Sequence, residues 1–552
     1  MRSIRWILGL VLACNLVMVC GGLAAIIWLP SPEQRGDDRR LLRLAYSPEK
    51  EPLIRQLVAE FNASGSPYRV EATRVDPDEL IEVAIGGQFS AISPDSAVWL
   101  EPIDRAWRAR QPASTGLVSS LRRYATSPIV IAMWESVARQ FQYPQRPVGW
   151  STVMDRALRD PSFRWSHPSA STASGLLAVT AEFYAGAGNP PRLTLADLER
   201  PETIEFVRRV QRSVQQYGAE SEDQLLERLL TSSSRPLDAF VVQEQFVVQF
   251  NRRTTGERLV AVYPAEGTLW LDHPLALLEG PWLTNEQRQA YRAFTAFLAR
   301  PETGRLVLRE GYRPADLALP LDEATTPLRR ENGVDPAQPA TSLVLPSTGV
   351  LERIRDSWVL LKRPANIYLV ADVSGSMEGE RLARAKEALQ SFIAQIRDGR
   401  DRVGLVTFSS AVREEVPLAS LDQNRADLER AIAGLVAGGN TALYEAIAVA
   451  AERLAARREP DRINVVVVMT DGAEDASRAD LVARRGDPSR LIAVLREQER
   501  RSSIPVVVFA VAYGREAEFE VLRTIAEATR GQAYRSDPAT IRKLYRLLSQ
   551  TF

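Results

Sequence analysis

The chain has 552 residues, of which 45% are hydrophobic and 25% charged, and its 69 basic side chains equal its 69 acidic ones. That length is too great for one ordinary domain and implies two or three globular ones. A formal net charge of zero leaves no overall field to draw in nucleic acid or an anionic membrane surface.

Trp6 to Leu29 is apolar except for Asn15 and is preceded by two Arg. Its length matches a bilayer-spanning helix and exceeds the usual apolar core of a cleaved signal. Residues 6–29 are therefore expected to form an uncleaved transmembrane signal anchor after a cytoplasmic tail of residues 1–5. The rival is a lipoprotein signal, because Val11-Leu12-Ala13-Cys14 loosely resembles a lipobox, but the apolar run continues well past Cys14. Arg2 and Arg5 flank one side and Arg35, Arg39 and Arg40 the other, so charge alone does not set orientation. Both cysteines, Cys14 and Cys20, lie in this run, which leaves the rest without disulfides or thiol chemistry.

Residues 30–40 form a polar spacer. Leu41 to Tyr46 then reads as a strand. Pro52 to Asn62 reads as a helix with Leu53, Ile54, Leu57, Val58 and Phe61 inward. Arg69 to Val75 and Pro128 to Met133 read as further strands. Strands separated by helical stretches indicate α/β architecture.

Five pieces of this region occur in an order shared with a known family: Ala45 to Glu51; Gly149-Trp150-Ser151; the hydroxyl-rich Pro168 to Gly175; Val262 to Gly267; and Gly311 to Pro314. Over residues 41–316 the chain thus resembles bacterial extracellular solute-binding proteins. The resemblance implies a two-lobed periplasmic-binding-like domain of type II with a ligand cleft, placed outside the cytoplasm. It also settles orientation, with everything after Pro30 outside. Ser47, Ser93, Ser171, Thr172 and Ser174 are the candidate solute contacts. Hydroxyls beside free backbone N–H groups at a helix start make an anion site. The competing reading of the Ser169–Gly175 run is an N-cap cluster without a ligand. Gln243 and Glu244 could face the cleft or sit in an ordinary strand.

Residues 317–363 read as a linker, rich in Pro, Thr, Asp and Ala up to Ser347, with a short helix over Gly349–Leu361. Ile367 to Ala371 is an apolar run that reads as a buried parallel strand, closed by Asp372-Val373-Ser374-Gly375-Ser376. A helix follows with Leu382, Ala385, Leu389, Phe392 and Ile396 on one face. Gly438 to Leu443 opens another helix and puts Thr441 at its start. Ile463 to Met469 is a second buried run, ending in Thr470-Asp471-Gly472. Three loops at strand ends or helix starts each supply oxygen groups, where open α/β sheets place their ligands. An oxygen-only set suits a hard cation such as Mg²⁺ or Mn²⁺.

At these residues the chain resembles the von Willebrand factor type A family, over residues 364–552. The resemblance implies a doubly wound, Rossmann-like domain with a metal-ion-dependent adhesion site at Asp372, Ser374, Ser376, Thr441 and Asp471. It also implies a protein partner that completes the metal shell with a carboxylate. Glu378, Glu474 and Asp475 lie near the motif in sequence and read as solvated surface charges.

No catalytic role is expected. Only two His, His167 and His273, are available, and no P-loop sequence is present. The combined expectation is a membrane-anchored, extracytoplasmic, non-enzymatic binding protein. Two alternatives are an ABC-transport-linked solute receptor with an accessory metal domain, and a non-catalytic subunit of a metal-chelatase-like complex. Neither the solute nor the protein partner can be named from sequence.

Overall fold

The computed structural model describes residues 40–537, Ile541 and Tyr545, omitting 78, 113–115, 161, 215, 219–220, 232–234, 236, 322–325, 397, 460, 485 and 515–516. The expected anchor over residues 6–29 lies outside the described residues. Among those described, no helix is long and apolar enough to cross a membrane.

The chain divides into two compact units. The first comprises residues up to Ala125 together with His273–Val307 and Pro314–Leu319. Its sheet orders the strands Arg69–Arg74, Leu41–Tyr46, Ala91–Ser93, Pro274–Leu278 and Val118–Arg123. The first three are mutually parallel, and Pro274–Leu278 runs antiparallel to both its neighbours. The helix Glu51–Ala63 buries Leu53, Ile54, Leu57 and Phe61, four positions on one 3.6-period face. The Phe61 ring meets Phe294 edge-on at 5.1 Å between centroids.

The second unit spans Thr126–Asp272, Leu308–Arg313 and Pro320 onward. Its first sheet follows the order Trp270–Leu271, Ala125–Trp134, Ala239–Gln243, Trp165–Pro168 and Gln216–Gly218. The last three strands are parallel, so their carboxyl ends open on one edge. The strand Ala239–Gln243 stops at Gln243, and Glu244 begins the helix Glu244–Arg253. Glu244 is fully buried. Both its oxygens accept from Arg313, at 2.7 Å from Nε and 2.7 Å from Nη2, and the Tyr263 hydroxyl joins them. The Gln243–Glu244 corner is thus a strand-to-helix junction held by a buried fork-to-carboxylate pair.

The linker is bound along this unit. Gly333 O accepts from Ala261 N at 2.7 Å, and Thr341 and Leu343 bracket Thr268 with two backbone hydrogen bonds. The helix Thr348–Leu361 then packs against the helix Ala173–Gly186. Trp358 Nε1 donates to Gln211 Oε1 at 2.9 Å, and Gln211 Nε2 contacts Glu182 Oε2 at 2.6 Å and His167 Nε2 at 3.1 Å. His167 and Glu182 are completely shielded from solvent. Burial pushes the Glu182 carboxyl up to about 8 and holds the His167 ring down near 4, so both are neutral at pH 7. Arg363 extends the junction: Nη1 reaches Val214 O at 3.5 Å and Nη2 reaches Arg462 O at 2.9 Å.

The last sheet has six strands in the order Val412–Ser420, Arg402–Phe408, Ala365–Asp372, Ile463–Thr470, Val506–Tyr513 and Ala533–Ser536. All pairs are parallel except the Val412–Ser420 edge. Every residue of Ala365–Asp372 and of Ile463–Thr470 is buried. That is why they carry the long apolar runs Ile367–Ala371 and Val465–Met469, since parallel strands covered on both faces carry no polar alternation. The helix Leu443–Ala456 covers one face, packing Tyr444, Ile447, Ala451 and Leu454 against Val370 and Val468.

Two outcomes follow for the junction helix. Trp358→Ala deletes a buried indole and should lower stability by about 3–5 kcal/mol. Trp358→Phe, which leaves Gln211 without its donor, should cost about 1–3 kcal/mol; urea unfolding of the full chain reads both. Glu182 ionises near 8 in the fold against an ordinary 4.5. The folded form therefore binds the extra proton, and the Glu182 contribution to stability should fall as pH rises from about 4.5 to about 8, opposed below about 6.5 by His167, whose lowered value acts the other way. Glu182→Gln should flatten that slope in melting scans at pH 5.5 and pH 8.

Candidate functional site

The two central parallel strands run in register, Ala371 opposite Met469, so Asp372 and Thr470 end level on the same edge. Asp372 is fully buried there. Its Oδ1 accepts the Ser374 backbone N–H at 2.8 Å, the side-chain-to-backbone bond that lets Asp start a tight turn, and its Oδ2 accepts the Thr470 hydroxyl. The turn swings Ser376 back over the strand end. Ser374 Oγ and Ser376 Oγ lie 3.0 Å apart, and Ser376 Oγ donates to Asp471 Oδ1 at 2.6 Å.

The loop carrying Thr441 is stitched to this turn by backbone. Gly375 N donates to Gly439 O at 2.9 Å, and Gly438 N donates to Val373 O at 2.8 Å. Gly439 has φ +87°, and a Cβ there would lie 2.8 Å from Ser410 Oγ, so neither conformation nor space admits another residue. Thr441 itself is buried, and its N–H donates to Asp475 Oδ1 at 2.6 Å while Asp475 N–H returns to Thr441 O at 3.1 Å. A methyl placed on Gly472 would stand 3.2 Å from Thr441 Oγ1 and 3.7 Å from Ser376 Oγ. Asp372, Ser374, Ser376, Thr441 and Asp471 therefore converge around one edge of the sheet.

Two of the flanking acids differ from the solvated charges expected. Glu474 is buried, and its carboxylate accepts from Tyr444 N at 2.7 Å, in the first turn of the Leu443–Ala456 helix, and from Ser477 N at 2.6 Å. A carboxylate in that position satisfies helix N–H groups that have no partner within the helix and complements the dipole. Asp475 is exposed but holds the Thr441 backbone. Glu378 is exposed, as expected. Sequence reasoning also passed over Arg381, whose Nη1 donates to Asp471 Oδ2 at 2.6 Å. A cation five residues beyond Ser376, at the start of the following helix, is the signal that could have found it.

The donor set fits a hard divalent cation. It holds three hydroxyls and two carboxylates, all oxygen. Burial pushes the Asp372 carboxyl up to about 6, against the hydrogen bonds from Thr470 and Ser374, and the Asp471 charge pushes the same way. Two buried carboxylates face a single guanidinium, which leaves negative charge for a cation to offset. Among the described residues no group of three or more His, Cys, Asp or Glu is placed to hold a metal, so this hydroxyl-rich edge differs in kind from a carboxylate or imidazole cage.

The candidate solute contacts are differently placed. Ser47 and Ser93 belong to the first unit, the other three to the second. Ser47 Oγ accepts Asp95 N at 2.9 Å and the residue is buried. Ser93 is fully enclosed: Lys50 Nζ donates to it at 3.1 Å, Tyr124 Oη lies at 2.9 Å, and its hydroxyl reaches Pro274 O at 2.8 Å. Thr172 caps the helix Ala173–Gly186, accepting Gly175 N at 3.1 Å, and Ser171 Oγ meets Ser169 Oγ at 3.0 Å. Ser174 Oγ donates at 2.9 Å to Glu222 Oε1, which also accepts Gln243 N at 3.2 Å. At this helix start the chain's own carboxylate stands among the hydroxyls, and the capping role is the one the geometry displays.

Comparison with known proteins finds two families along the chain. The family model for the von Willebrand factor type A domain matches residues 366–546, and that for bacterial extracellular solute-binding protein matches residues 42–313. An uncharacterized protein of Mycobacterium tuberculosis is 24% identical over 489 residues, covering 80% of this chain and 68% of its own. Among solved structures, a von Willebrand factor type A protein from Catenulispora acidiphila is 26% identical over 34% of this chain and 43% of its own, with a TM-score of 0.29. The sulfate-binding protein SubI from Mycobacterium tuberculosis is 17% identical over 50% of this chain and 88% of its own, with a TM-score of 0.37. Both matched domains are of binding type and neither is a known catalytic family. The chain thus carries a region similar to bacterial extracellular solute-binding proteins, followed by a region similar to von Willebrand factor type A domains, both families of binding type.

Proposed function

We propose that this is a membrane-anchored, extracytoplasmic binding protein whose second domain docks a protein partner through a divalent metal. The observation that carries the reading is the convergence of Asp372, Ser374, Ser376, Thr441 and Asp471 from three loops, with buried negative charge in excess. Ser374, Ser376 and Thr441 are the direct ligands for Mg²⁺ or Mn²⁺. Both oxygens of Asp372 and both of Asp471 already accept protein hydrogen bonds, so these carboxylates act at least partly through bound water. When bound, the metal supplies a Lewis-acidic position for an oxygen of the partner. A carboxylate is the partner group that such a hard, partly hydrated ion prefers.

The first domain holds a small polar solute. Of the expected contacts, Ser93 and Ser174 donate within the fold, Ser47 and Thr172 accept backbone N–H groups, and the Ser171 hydroxyl meets Ser169. The length and apolar character of Trp6–Leu29 support a membrane anchor, and the likeness to extracellular solute-binding proteins supports an extracytoplasmic position for the residues that follow.

Two measurements test these readings. Asp372→Ala removes a full charge beside the dication and should weaken Mn²⁺ binding at least tenfold, about 1.4 kcal/mol, in isothermal titration. Circular dichroism should be unchanged, because the site lies at the sheet's edge. Equal affinity in both proteins would mean that the site does not hold the ion. For topology, an alkaline phosphatase fusion near the C-terminus should be active; an inactive fusion at normal expression would overturn the anchor and its orientation.

A further inference from the structure

The network at the metal face ends in a cation that belongs to the chain. Arg381 stands in the first turn of the helix Glu380–Gln395. Through Nη1 it donates to Asp471 Oδ2 at 2.6 Å and to the Ser376 carbonyl at 3.3 Å. Its own carbonyl accepts the Tyr513 hydroxyl at 3.3 Å, from the strand beside the one that carries Asp471. The guanidinium is therefore held through Nη1, and the backbone that carries it is held by Tyr513. The Arg381 side chain is 36% exposed, while that of Asp471 is 0% exposed. The other oxygen of Asp471 takes the Ser376 hydroxyl, which belongs to the proposed metal ligands. A dication held by the hydroxyls and the guanidinium of Arg381 consequently share one buried carboxylate from its two sides.

We infer that Arg381 is a tethered counter-ion of the metal face, balancing Asp471 before a divalent cation arrives and weakening the grip of the site on that cation. The inference rests on the metal reading of the site and adds what sets its affinity. The physics is the competition of two cations for one anion. Without Arg381, Asp471 would be a buried carboxylate held only by a hydroxyl, a costly arrangement in an apo domain. With Arg381, part of the attraction that would draw in the dication is already satisfied, and a like charge stands on the other oxygen of the same carboxylate. The result is a domain that keeps its fold when metal-free and exchanges its ion. A role confined to fixing the helix Glu380–Gln395 would leave metal affinity unchanged.

Isothermal titration of Mn²⁺ into the full-length protein in detergent decides, with melting curves in the presence and absence of 5 mM Mn²⁺, a concentration of roughly that order being ample for a hydroxyl-rich site. Arg381→Gln should bind Mn²⁺ about tenfold more tightly than wild type, from the loss of one like charge near the ion. It should also melt lower without metal and recover more on adding it. Arg381→Lys, which keeps the charge, should stay within about threefold of wild type. If Arg381→Gln does not fold, Arg381→Met, which retains the apolar stem, takes its place. Equal affinity in wild type and the neutral variant overturns the inference and leaves the metal reading intact. No binding by any folded protein of the set overturns the metal reading, and this inference with it.

Discussion

The parallel pairing of Ala365–Asp372 with Ile463–Thr470 is the constraint from which the candidate site follows. These strands are buried along their whole length, and their register brings Asp372 level with Thr470 at one edge. Two carboxylates, Asp372 and Asp471, are thereby taken out of water at almost the same place. Buried charge of that kind is stable only when donors and cations answer it. Much of the surrounding loop structure does so: the Ser374 N–H, the hydroxyls of Thr470 and Ser376, and the Arg381 guanidinium. The loops answer the need to solvate two anions, and that same order gathers the hydroxyls of Ser374, Ser376 and Thr441 beside them.

A second level of support lies behind the loops. Glu474 and Asp475 hold the helix start and the backbone that present Thr441. Gly438 and Gly439 hold the same loop from the other side through backbone bonds to Val373 and Gly375. Thr441 is thus placed by four residues, none of which offers a ligand. Precision at such a site comes from this supporting layer, since ligands left to their own rotamers are too loose to define a coordination shell.

The junction between the two domains works on the opposite principle. Trp358, Gln211, Glu182 and His167 form a buried polar group, yet burial keeps the carboxyl protonated and the imidazole uncharged near neutrality. Neutral hydrogen-bonded groups are cheaper to enclose than ions. The segment Lys362–Pro364 between this helix and the strand Ala365–Asp372 is short, and Arg363 ties both sides through carbonyls. The linker is therefore a bound part of the fold, hydrogen-bonded from Ala261 to Thr268 before the helix begins.

The sequence by itself determined the α/β class, the buried strands and the oxygen-bearing loops at their ends, because apolar runs and oxygen-bearing turn residues leave a local signature. It also determined the hydroxyl-capped start of the helix Ala173–Gly186, since Ser and Thr favour that position for reasons internal to a few residues. Tertiary structure alone decided what those hydroxyls do. Ser93 is saturated by Lys50, Tyr124 and Pro274, and Ser174 by Glu222, partners as far as 181 residues away. It alone decided that Glu474 is buried, that Glu244 opens a helix against Arg313, and that Arg381 answers Asp471. The physical reason is the same in each case. A charged side chain carries no local sign of whether water or a distant partner will solvate it; only the packing of elements far apart in the chain makes that choice.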